Sequence, residues 1–149
     1  MIRPRSILVL TLGGLVIIGL GLYFALLRPP LLDEDARFMG SSREAIEGAV
    51  PGLAGWLRWV FAVVGGFMAA SGLLTVYVAN TALRARSAGG RWVIAISGLV
   101  SIGWMAVVNV MIGSDFEWPL VTIAMLWPFA FVLYSLEGRG EPRPGDAGD

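Results

Sequence analysis

ILVLTLGGLVIIGLGLYFALL, residues Ile7–Leu27, runs for 21 positions without a charge. About 20 such residues let a helix cross the hydrocarbon core of a bilayer. With no water there, the backbone must bond to itself, and the stretch lacks the two-residue alternation of a membrane strand, so it reads as a helix. Three further stretches follow: Trp59–Ala79 and Trp92–Ile112, 21 residues each, and Pro119–Leu136, 18 residues. The last is short for a span, but Trp118 flanks it and its content is strongly apolar. The chain therefore reads as all-α, an integral membrane four-helix bundle with spans at about 7–27, 55–79, 92–112 and 119–136.

Composition supports this reading. Of 149 residues, 56% are hydrophobic and 15% charged, with mean hydropathy +0.74. A soluble domain carries about 25% charged residues, so there is too little polar surface here to cover a water-soluble globule. Eleven basic and eleven acidic residues give zero formal charge, which offers nucleic acid no electrostatic attraction. All eleven basic residues are arginine, and cysteine and histidine are absent. These absences exclude Schiff-base chemistry, thiolate nucleophiles, disulfides, iron–sulfur clusters, Cys/His zinc sites and His-ligated haem. No cofactor is expected.

The first stretch is too long for a signal-peptide h-region, and Leu26-Leu27-Arg28-Pro29-Pro30 offers no small-x-small cleavage site. It is expected to be retained. With the N-terminus cytoplasmic, Arg3, Arg5, Arg84, Arg86, Arg91, Arg139 and Arg143 lie inside and four arginines outside, which satisfies the positive-inside rule. The expectation is a multi-pass protein of the bacterial inner membrane with both termini cytoplasmic. Tyr23, Trp56, Trp59 and Trp118 would form an outer aromatic belt, and Tyr77, Trp92 and Tyr134 an inner one. Trp104 and Trp127 fall inside spans, where bundle packing or lipid contact is the plain expectation.

The segment 28–54 is the one substantial connection, an extracytoplasmic loop expected to be partly helical. Asp33 caps a turn stopped by Gly40, Ser41-x-x-Glu44 has capping-box spacing before a turn ended by Gly48, and Pro51 suits the start of span 2. Residues 138–149, rich in Arg, Glu, Pro, Gly and Asp, are expected to be disordered. Pro128 removes a backbone donor and should kink span 4, freeing the Ala124 carbonyl.

Few residues are candidates for function. Ala62, Gly66 and Ala70, with Gly65 and Ala69 beside them, and Ser97 and Ser101 on span 3, are small residues that permit close helix approach. Packing within the bundle is the first expectation for them, a homo-oligomer or larger membrane complex the second. Arg58 near the outer interface is expected either to snorkel between Trp56 and Trp59 or to pair with Asp115 or Glu117, with Asn109 at a similar level. These four residues, Arg58, Asn109, Asp115 and Glu117, are the candidate ligand site, for an anionic headgroup or a small polar molecule. Asp33-Glu34-Asp35 lacks a calcium-loop pattern, so no metal is expected, and no catalytic motif is present.

Four spans, with Arg58 entering the second ahead of paired Gly65-Gly66, resemble the small four-helix bacterial membrane proteins of the DoxX-like kind. The resemblance covers the membrane region and is mainly architectural. It implies a setting near thiosulfate or quinone oxidation or a larger redox assembly. Abundant small-residue faces and scarce catalytic groups favour a non-enzymatic accessory or scaffolding subunit among membrane lipids. The alternative is a protein that handles a lipid, quinone or small molecule at an outer-leaflet polar site.

Overall fold

The computed structural model describes residues 4–139 and is helical throughout, with no strand among them. Helix α1 (Arg5–Leu26) is span 1; α2 (Asp33–Phe38) and α3 (Arg43–Ala49) form the cap; α4 (Leu53–Val78) is span 2 and runs into a π-helical turn, Ala79–Leu83. Span 3 joins α5 (Ala88–Gly98) to α6 (Trp104–Ile112) through a second π-helical segment, Leu99–Gly103. Span 4 is α7 (Glu117–Ala124) followed by α8 (Leu126–Arg139). All four are long and apolar enough to cross a membrane. The segment expected to be disordered is helical through Arg139; from residue 140 it lies outside the described residues, as do Arg3 and Arg143.

The apolar residues are distributed as a bilayer requires. Phe67, Trp59, Leu99 and Met111 are more than 70% exposed on the perimeter, a surface only hydrocarbon can cover without penalty. Both ends of the described chain meet: Ser6 donates from its amide and its hydroxyl to the two carboxylate oxygens of Glu137, at 3.2 and 2.5 Å. Spans 1 and 4 thus end on the same side, opposite the cap.

Spans 1 and 2 pack closest because glycine recurs every seven residues on both, at Gly14 and Gly21 and at Gly65 and Gly72. A Cβ on Gly21 would lie 2.5 Å from the Ala69 amide and 2.6 Å from the Gly65 carbonyl; one on Gly72 would lie 2.8 Å from the Ile18 amide. The two backbones touch, as small residues allow in membranes. Further along, Asn80 Nδ2 donates to Thr11 Oγ1 at 2.9 Å, tying the same pair together. Gly66 differs from the first packing expectation: a Cβ there would meet nothing within 4 Å, because one residue's step around a helix turns the position away from span 1. Ala70 is exposed as well, whereas Ala62 and Ala69 are half-buried.

Span 4 breaks where Pro128 lacks an amide for the Ala124 carbonyl: α7 stops at Ala124 and α8 resumes at Leu126. Directly before Pro128, Trp127 is 5% exposed, its indole against Gly98 on one side and Gly13 on the other. Its Nε1 has no hydrogen-bond partner. Trp127 is therefore bundle packing, while Trp104 is 64% exposed.

Candidate functional site

A cavity of about 470 Å³ occupies the cap-side half of the bundle. Span 1 contributes Ile17, Leu20, Tyr23 and Phe24; span 2 Val64, Met68 and Ser71; span 3 Ser101, Ile102, Trp104, Met105, Asn109 and Ile112; span 4 Pro119, Leu120 and Ile123. From Ser101 to Ile112 is a rise of roughly 16 Å at ~1.5 Å per residue, about half of a ~30 Å hydrocarbon core. The walls are overwhelmingly apolar. The π-helical segment matters here, since its extra residue re-aims Ser101 and Ile102, and such segments recur at functional sites.

The roof is polar and comes from the loop after span 1. Arg28, Leu32, Glu34 and Asp35 line the cavity from above. The Arg28 side chain is 8% exposed, and its Nη2 lies 3.2 Å from Asp35 Oδ2. Its Nη1 donates to the Pro29 carbonyl at 2.9 Å. The guanidinium carbon sits 3.7 Å from the centroid of the Phe61 ring and 5.5 Å from that of Phe24. Such stacking suits arginine's planar, weakly hydrated head. Asp35 also accepts the Leu32 amide at 2.8 Å, which fixes the start of α2.

Glu34 latches this roof to the far side of the bundle. Its Oε2 accepts from the Ser114 hydroxyl at 3.0 Å and the Asp115 amide at 2.8 Å. Ser114 is 4% exposed and accepts in turn from the Phe116 amide. Gly113, at φ 64°, places that turn by ending α6 in the left-handed conformation. Outside the roof, Arg37 Nη2 meets Asp115 Oδ1 at 2.8 Å, with both side chains more than 60% exposed.

The structure disperses the four residues grouped from sequence. Asp115 pairs with Arg37 rather than Arg58; Arg58 is exposed and does not line the cavity, and neither does Glu117. Asn109 alone lines it, its Nδ2 donating to the Met105 carbonyl at 2.9 Å. Ser101, read as a packing residue, lines it too and bonds back to the Ser97 carbonyl at 2.6 Å. The residues missed were Arg28, Glu34 and Ser114. Arg28 lies just past the end of span 1, four residues after Phe24, and that proximity was visible in the sequence.

The cap itself differs in detail from expectation. Asp33 opens α2 rather than capping it, and Gly40 ends the turn at φ 66°. The N-cap of α3 is Ser42, one residue after Ser41, accepting from the Ala45 amide at 3.2 Å. Pro51 precedes span 2 in a turn, and the helix begins at Leu53. No group of metal-ligating side chains occurs among the described residues. No protein-family profile, curated protein or solved structure matches the chain.

Proposed function

We propose that this is a non-enzymatic membrane protein that holds a lipophilic small molecule in the cap-side half of its bundle. One observation carries this reading: a large apolar cavity lies beneath a hydrogen-bonded polar strap. Its volume falls in the ~300–1,000 Å³ range of small-molecule sites. Filling the cavity provides the test. Ser71→Phe projects a ring into it from span 2, and wild type and variant are compared by mass spectrometry of extracted lipophiles after purification in mild detergent. Wild type should carry one amphiphile near stoichiometrically and the variant much less at equal helix content. Equal carriage by both would overturn the reading.

The accessory-subunit reading is second and rests on Gly66 and Ala70, small residues of span 2 that face away from the bundle. For both readings we place the protein in the cell membrane with its termini cytoplasmic and its cap outside, on the arginine distribution. Single cysteines at Ser41 and Ser87 of this cysteine-free chain test the orientation with an impermeant thiol reagent. Ser41→Cys should label in intact cells and Ser87→Cys only after lysis; the reverse pattern inverts the assignment.

A further inference from the structure

Charge, hydrogen-bonding capacity and the side from which the cavity is reached narrow its occupant, given the cavity reading above. We infer that the occupant is an uncharged, single-chain membrane amphiphile whose head donates hydrogen bonds. The charged side chains lining the cavity are one guanidinium, Arg28, and two carboxylates, Glu34 and Asp35. Arg28 is already spent on Asp35 and stacked on Phe61. With Arg28 matched by Asp35, an anionic head would meet the remaining negative charge of Glu34, which has no cationic partner among these three.

The open positions are acceptors. Both roof bonds of Glu34 use Oε2, leaving Oε1 without a partner, and Asn109 spends its Nδ2 on Met105 and leaves Oδ1 without one. A head with hydroxyl or amide donors can bond to these oxygens; a head of acceptors alone can bond to neither. The walls fix the rest of the molecule. A cavity of about 470 Å³ with apolar sides suits one chain rather than a two-chain phospholipid. Val64 and Trp104, on spans 2 and 3, line the cavity and are 39% and 64% exposed. Entry between such exposed apolar side chains would be from the hydrocarbon, with the polar strap lying over the cap-side end.

The test uses the full chain in phosphatidylcholine nanodiscs with three probes sharing one acyl chain. These are 1-oleoylglycerol, its 3-phosphate, and methyl oleate, which has no donor. Binding is read as displacement of a deuterated 1-oleoylglycerol by native mass spectrometry. The phosphate and the methyl ester should each compete at least about tenfold less well than 1-oleoylglycerol. Glu34→Gln keeps an oxygen for Ser114 and the Asp115 amide but removes the charge, and should shrink the phosphate penalty several-fold; Glu47→Gln, on the exposed face of α3, should not. A phosphate bound as tightly as the glycerol overturns the charge argument, and an equally bound methyl ester overturns the donor argument, each leaving the cavity reading intact. If Ser71→Phe leaves the binding of every probe unchanged, the cavity reading itself fails.

Discussion

Span 1 uses its two halves and two faces in opposite ways. Toward span 2 it presents Gly14 and Gly21, and the backbones come into contact with no room for a methyl group. Around the cavity, on its cap-side half, it presents Leu20, Tyr23 and Phe24, and the spans stand apart around an open volume. Lipid supplies no hydrophobic drive to close that gap, because acyl tails are as apolar as the side chains they would replace. Close packing in this protein is therefore local, set by where side chains are missing. Where they are large, and where the π-helical segment of span 3 and the break at Met125 interrupt regular ridges, a cavity persists.

The largest effects should fall on the glycine face. Gly21→Leu or Gly65→Leu must separate two touching backbones, and overpacking of a tight core costs about 1–3 kcal/mol, occasionally more. We expect the upper end, or failure to recover folded protein. Gly66→Leu, one position away, should stay within about 0.5 kcal/mol, as surface changes do. Denaturant titration of the purified chain with helicity as readout compares the three. A larger loss for Gly66→Leu than for Gly65→Leu would mean that the packed face of span 2 is not the one facing span 1.

The polar roof should respond next. Arg28→Met removes a buried cation, leaves Asp35 with one partner fewer and abolishes stacking on Phe61. Loss of one member of a buried pair costs about 3–5 kcal/mol, and the partial exposure of Asp35 lowers the expectation to roughly 2 kcal/mol. Arg37→Ala breaks only an exposed pair with Asp115, worth about 0–1 kcal/mol. Arg58→Ala should fall within about 0.5 kcal/mol. The order Arg28, Arg37, Arg58 is what the stability measurement checks, and a cost for Arg58→Ala equal to that for Arg28→Met would return the site to Arg58.

Fold and site were unequally legible in the sequence. The four spans were plain because charge-free length is a one-dimensional property, and the Pro128 break follows from a missing amide that any reader can see. The glycine contact required choosing between Gly65 and Gly66, adjacent residues that point about 100° apart on a helix. Gly14 and Gly21 decide that choice, but only when both helices are read as a pair with seven-residue spacing. The site was harder still. Arg58 drew attention by sitting near a span's apolar run, yet Arg28, just past the end of span 1, is the one folded inward. What holds it is Asp35 of α2 together with the Phe61 ring. Ser114 gave no signal, because its burial depends on Glu34 arriving from 80 residues away.

The smallest effect should come from α3, which lines neither the glycine contact nor the cavity. Its start depends on Ser42, whose loss as an N-cap costs about 1 kcal/mol locally. Glu44 in the first turn reports on that cap. Its carboxyl is held below the ordinary value of 4.5, chiefly by a hydrogen bond from the backbone of Glu44 itself, then by the Ser42 hydroxyl and the neighbouring charge of Arg43. A folded pKa below the unfolded one means that the stabilisation is present above the unfolded value and is lost as pH falls through the folded one. Ser42→Ala should therefore raise the Glu44 pKa toward 4.5 and speed amide exchange in α3. Binding of 1-oleoylglycerol should not change. Carboxyl-carbon NMR titration follows the first effect and hydrogen exchange the second. If Ser42→Ala weakened binding instead, α3 would belong to the roof, and the boundary between the strap that closes the cavity and the loop beyond it would have to be redrawn past Gly40.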